Sequence, residues 1–121
     1  MDLPDLGADM PPLERVVAER ELGFTHHSGE TEVTTVSLGA PVFRDGTWWC
    51  PYKIHSQSFS HSYALAGEDS LQALLGSACI LATELDALAR RHNGIFTYFG
   101  DNDLMLPSMD WIKRGGDAGE N

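Results

Sequence analysis

Residues 48–57 read WWCPYKIHSQ, and the architecture turns on whether this is a reactive cluster or a strand. In an extended chain Trp48, Cys50, Tyr52 and Ile54 share one face, and Trp49, Pro51, Lys53, His55 and Gln57 share the other. The first set is apolar and the second mostly polar, the alternation of a strand with one face on a core. Cys50 then stands in a row of core residues, where free cysteine is common, and no neighbouring feature marks it as an activated nucleophile. Pro51 cannot donate to a ladder, so the expectation is an edge strand or a bulge at this point.

The alternation continues on the C-terminal side. In SFSHSYALAG (58–67), Phe59, His61, Tyr63 and Leu65 face one way, and Ser60, Ser62, Ala64 and Ala66 the other. A strand with a small-residue face suits close packing against a helix. The helix signal is EDSLQALLGSACILATELDALARRHNG (68–94). Asp69 or Ser70 can cap its start, and Arg90, Arg91 and His92 fill the last turn, where positive charge is favourable. Asn93 and Gly94 supply a left-handed stop. Leu71, Leu74, Leu75, Ala78, Leu81, Leu85 and Leu88 recur at helical spacing and predict the buried face. Roughly 24 residues at 1.5 Å each make a spine of about 36 Å. IFTYFG (95–100) then reads as a strand returning to the sheet, and SMDWIK (108–113) as a short terminal element.

On the N-terminal side, TEVTTVSL (31–38) is rich in β-branched residues and reads as a strand. ERVVAERELGF (14–24) fits a helix or a strand equally on pattern alone. HHSGE (26–30) reads as a hairpin loop, and GAP (39–41) and RDG (44–46) as turns. Residues 1–13, with three aspartates and three prolines, predict a flexible acidic arm, and 114–121 a flexible tail; a single domain spans 14–113.

Composition narrows the function. The 121 residues carry a formal net charge of −10, which argues against phosphate contact and nucleic-acid binding and favours a basic protein partner. Two cysteines without a CxxC pattern do not make a zinc site. No apolar run is expected to reach the roughly 20 residues of a membrane span, and the acidic, proline-bearing start is unlike a signal peptide. The expectation is a cytoplasmic chain with reduced thiols, a monomer or homodimer.

No catalytic or cofactor-binding residue stands out, and no cofactor is implied. The candidate metal ligands are His55 and His61, flanking a hairpin tip at Gln57–Phe59. A loop centred on Ser58 would place them on one face, and a two-residue loop on opposite faces. The stretch lacks the Asn-Gly or Gly-containing turns that favour the shorter loop. His26 and His27 read as solvated loop histidines. GDND (100–103) begins like a calcium loop, but lacks glycine at position six and glutamate at position twelve. Glu84 and Asp86 read as solvent-facing, with Asp86 to Arg90 a plausible helical ion pair. Residues offered for partner binding are Trp49, His55, Asp101 and Asp103.

Trp48-x-Cys50-Pro51-Tyr52-x-Ile54, followed by Gly67-x-Asp69-Ser70-Leu71-Gln72-Ala73-Leu74, resembles a family of small uncharacterised bacterial proteins. Arg20-Glu21-Leu22, Leu38-Gly39-x-Pro41, Gly100 and Leu106-Pro107 look similar too, so the resemblance covers about residues 15–107. The acidic arm and the tail depart from the family pattern. The resemblance implies a strand at 14–24 and carries over no catalytic residue. The fold expected is α+β, a mostly antiparallel sheet of four to five strands on one long helix, in the order β-β-β-β-α-β. The first function expected is a non-enzymatic acidic binding protein, such as an immunity or antitoxin-type inhibitor of a basic partner. The alternatives are a small metal-dependent or acid/base enzyme using His55, His61 and Cys50, and a self-associating module that uses the Pro51 edge strand.

Overall fold

A computed structural model describes residues 10–108. The tail, and the terminal element expected at 108–113 beyond its first residue, lie outside the described residues. So does the expected arm up to residue 9. From Met10 the chain is engaged: Met10 and Pro11 are buried.

The elements are β1 (Val16–His26), β2 (Thr31–Gly39), β3 (Val42–Arg44), β4 (Thr47–Ser56), β5 (Ser60–Gly67), α1 (Ser70–Arg91) and β6 (Gly94–Thr97). All ladders are antiparallel. β5, β4, β2, β1 and β6 lie side by side, and the three-residue β3 pairs with the first part of β4. The α+β expectation holds, with the ambiguous 14–24 stretch a strand and β3 an addition the turn signals had hidden.

β4 is therefore interior, which corrects the edge expected from Pro51. The reason is a gap between ladders. On one side β4 pairs with β3 through Trp49 and with β2 from Tyr52, leaving Cys50 and Pro51 between the two. The missing N–H falls where no ladder bond is required. Gly39 fits the same place, since a Cβ there would lie 2.9 Å from Pro51 Cγ and 3.1 Å from Leu13 Cγ. The self-association edge expected at Pro51 is thus already occupied by strands of the same chain.

The predicted inward face of β4 is buried at Cys50, Tyr52 and Ile54. Tyr52 and Ile54 pack with Leu22, Phe24, Val36, Phe59 and Phe96 against Leu81, Leu85 and Leu88 of α1. Asp69 caps α1, its side chain accepting from Gln72 N at 2.7 Å, and Asn93, at φ 52°, supplies the left-handed stop. The buried helix face runs through Ala73, Ser77, Leu81, Leu85 and Leu88. Leu71 is 60% exposed and Leu75 also faces out, against expectation. Small residues bring the first turns close: Ser77 Oγ donates to the Cys50 carbonyl at 2.7 Å, which a leucine could not do.

α1 also has the length and apolar composition of a membrane span, contrary to the sequence expectation. Here it is the core helix of the sheet, packed mainly on β4 and β5. Among the described residues the opposite sheet face carries no helix. Leu13 reaches it at Gly39, while Val17, Val33 and Ile95 stand exposed on it.

Candidate functional site

The two histidines offered as metal ligands do not meet. His55 lies opposite Ser60 and His61 opposite Ile54, so His55 points to the outer face and His61 to the helix face. The hairpin loop is the two-residue Gln57–Ser58, closed by Ser56 N donating to the Phe59 carbonyl at 2.8 Å. A side chain from another strand holds this turn in place of turn chemistry. Glu32 of β2 accepts from Ser58 N at 2.9 Å and from the hydroxyls of Ser56 and Ser58, and it also contacts His26 Nε2. These bonds, Ser56 first, then Ser58 and His26, hold the Glu32 carboxyl far below the usual carboxylate range. The serines donate to the carboxylate and not to the imidazole, so the group is a structural clamp and not a nucleophile triad. His26, read as solvated, belongs to it.

His61 has an acid beside it after all. Its Nε2 abuts the Glu84 carboxylate, so Glu84 is half-buried and not the solvent-facing acid expected. Tyr52 lies in the same cluster, its hydroxyl pushed well above its ordinary range by burial first and then by Glu84. Burial likewise raises the Cys50 and Cys79 thiols, which suits core residues and not nucleophiles. No group of three or more His, Cys, Asp or Glu side chains placed to hold a metal occurs among the described residues.

The other candidate residues are dispersed. Trp49 and His55 share the outer face of β4. Asp101 and Asp103 stand beyond β6, three strand spacings away, or roughly 14 Å. Each aspartate closes a local turn: Asp101 Oδ1 accepts from Asp103 N, and Asp103 Oδ1 from Met105 N, both at 2.9 Å. Their spacing is turn chemistry, not a calcium loop.

A feature the sequence did not single out lies next to them. Tyr98 and Asp101 exchange two backbone bonds, of 2.8 and 3.0 Å, around Phe99 and Gly100. Both central residues have positive φ, 51° and 80°, the pattern of a type I′ turn. Such turns favour Asn-Gly and Asp-Gly. The β3–β4 turn follows that preference with Asp45-Gly46, at φ 54° and 79°. Here a phenylalanine takes the strained position and is 93% exposed. It borders a groove of about 500 Å³ lined also by Glu19, Arg20, Glu21, Gly23, Val33 and Tyr98.

The turn leads into 102–107, which lies along β1. Arg20 holds it, with Nη1 donating to the carbonyls of Leu104 at 2.9 Å and Met105 at 2.8 Å and its guanidinium 4.4 Å from the Tyr98 ring centre. Met105 is the second exposed apolar residue with positive φ, at 56°. A larger groove of about 690 Å³ between α1 and β6 has Asp86 and Arg90 on its wall, already paired with each other as the sequence suggested.

This is an α+β domain of one helix on an antiparallel sheet, with a strained aromatic turn at one sheet end. The chain belongs to the family described as a domain of unknown function, DUF6968, whose model matches residues 18–108. No curated protein and no solved structure matches it.

Proposed function

We propose that this protein is a non-enzymatic binding module that takes a basic protein partner on the open sheet face around Phe99. The observation that carries the reading is Phe99 itself. A non-glycine residue in the left-handed region costs about 1–2 kcal/mol, and an exposed ring recovers none of that by burial. Strain of this kind is tolerated where the position serves recognition, and aromatic anchors ringed by polar groups dominate protein interfaces. The ring borders a groove lined by Glu19 and Glu21, in a turn closed by Asp101, on a chain of net charge −10. The cation of that lining, Arg20, is already bound to the carbonyls of Leu104 and Met105, so complementarity calls for cationic side chains around an apolar pocket. An immunity or antitoxin-type inhibitor of a secreted basic protein fits this chemistry. The reading keeps the chain in the cytoplasm, where Cys50 and Cys79, buried and unpaired, stay reduced.

The test is affinity capture from source cells with the wild type and Phe99→Ala, each washed over a range of salt. A basic polypeptide held by the wild type, released by salt and not held by Phe99→Ala is the expected outcome. Equal retention by both proteins refutes the site.

A further inference from the structure

We propose that the partner enters as an extended segment that adds a strand to the unpaired edge of β1, with basic side chains alternating with apolar ones. This rests on the reading of a basic partner at the Phe99 face and specifies how that partner is held.

The edge follows from the register. β1 pairs with β2 along nearly its whole length, but with β6 only from Gly23 to His26. Among the described residues, Ala18 to Glu21 thus have a ladder on one side only, and no other backbone–backbone bond reaches them. Arg20 carries its two bonds through its side chain, so residues 104–107 pack beside this edge without taking up its backbone N–H and C=O groups. The bulge at Val17 ends the usable edge on one side, and the Phe99 turn, where β6 stops, ends it on the other. An unpaired row of N–H and C=O groups is a template for strand addition. The charge of the edge states what it accepts. Glu19 and Glu21 project from it on the outer face and are exposed. Basic residues directly across from them make favourable cross-strand pairs, and acidic ones are repelled. The alternate positions of an added strand point to the helix face, where Ala18, Leu38, Leu81, Met105 and Leu106 line a smaller apolar pocket of about 180 Å³. The preferred ligand is therefore a short basic–apolar–basic stretch, and the free edge selects against an acidic one, including a second copy of this edge.

The probe is a blocked peptide, Lys-Val-Lys-Val-Lys-Val-Lys. Its fully N-methylated form keeps every side chain and charge and loses every amide donor. Binding is followed by amide NMR shifts and by hydrogen exchange. The plain peptide should bind, protect amides between Ala18 and Glu21, and bind at least about tenfold more tightly than the N-methylated form. Glu19→Lys with Glu21→Lys should weaken it roughly tenfold. Equal binding of both peptides, shifts confined to other strands, or no binding near about 1 mM overturns strand addition. If the N-methylated peptide binds equally but Phe99→Ala abolishes binding, strand addition falls and the Phe99 site stands. If neither Phe99→Ala nor the charge reversal changes binding, both fall.

Discussion

Phe99→Asn isolates the strain argument from everything else. Asparagine tolerates the left-handed region and, before Gly100, creates the Asn-Gly pair that type I′ turns prefer. The relief is about 1.5 kcal/mol, the middle of the range for a non-glycine residue with this φ. Against it stands the ring contact with Tyr98, centroids 4.6 Å apart, which contributes about 0.5 kcal/mol. At 93% exposure the ring contributes little hydrophobic stabilisation to lose. The net is a gain of about 1 kcal/mol, or a rise in melting temperature of about 4 °C for a chain of this size. Urea unfolding of both proteins measures it. Asp45→Asn is the control, because the sister turn already holds Asp-Gly and should move by less than about 0.5 kcal/mol. A more stable Phe99→Asn that no longer holds the partner is the expected pair of results. If Phe99→Asn is less stable than the wild type, the turn is not strained, and the inference from strain to recognition fails with it.

Three further outcomes follow from the geometry. Glu32→Gln should destabilise the fold by about 2 kcal/mol at neutral pH, by weakening charge-assisted bonds to Ser56, Ser58 and Ser58 N. Its carboxyl is depressed by folding, so its stabilisation is complete above the unfolded value of about 4.5 and is lost as pH falls below it. The gap between wild type and Glu32→Gln in chemical denaturation should therefore narrow in acid; a gap that widens there rules out the clamp. Leu85→Ala should cost about 3 kcal/mol and Leu71→Ala less than about 0.5, a contrast that reports which helix face is buried. Cys50 and Cys79 should resist a thiol reagent in the folded protein and react on denaturation; rapid labelling of either in native buffer would contradict their burial.

What the sequence disclosed was whatever a single element decides for itself. The alternation of 48–57, the β-branched run of β2 and the caps of α1 are local signals, and each holds in the structure. What it concealed depends on neighbours. Pro51 implies an edge only if one ladder runs unbroken past it, and two ladders meeting there remove the implication. Leu71 and Leu75 fit helical spacing as well as Leu81 does, but the first turns of α1 meet the sheet through small Ala73 and Ser77, which turns both leucines outward. The loop that separates His55 from His61 is set by Glu32, more than twenty residues away, so no local reading of SQSFS could decide it. Glu84 reads as solvent-facing from its helix alone because its partner, His61, sits on another element. For the Phe99 site the one legible signal was an aromatic directly before Gly100, bracketed by Tyr98 and Asp101.

Arg20 sets how this molecule opens. Residues 102–107 form no strand, and among the described residues they are held by turn bonds through Asp101 and Asp103, by packing of Leu104 and Leu106 on the core, and by the two bonds from one guanidinium. A segment held in this way exchanges its amides through local opening, well before the sheet unfolds globally. Release of Arg20 would peel the segment from β1 and bare the side of α1 at Ala78 and Leu81 while every ladder stays intact. The domain thus has a seam of low local stability along the edge proposed to receive a strand, and the rate at which that seam opens sets an upper limit on how fast a deeply seated partner can enter or leave.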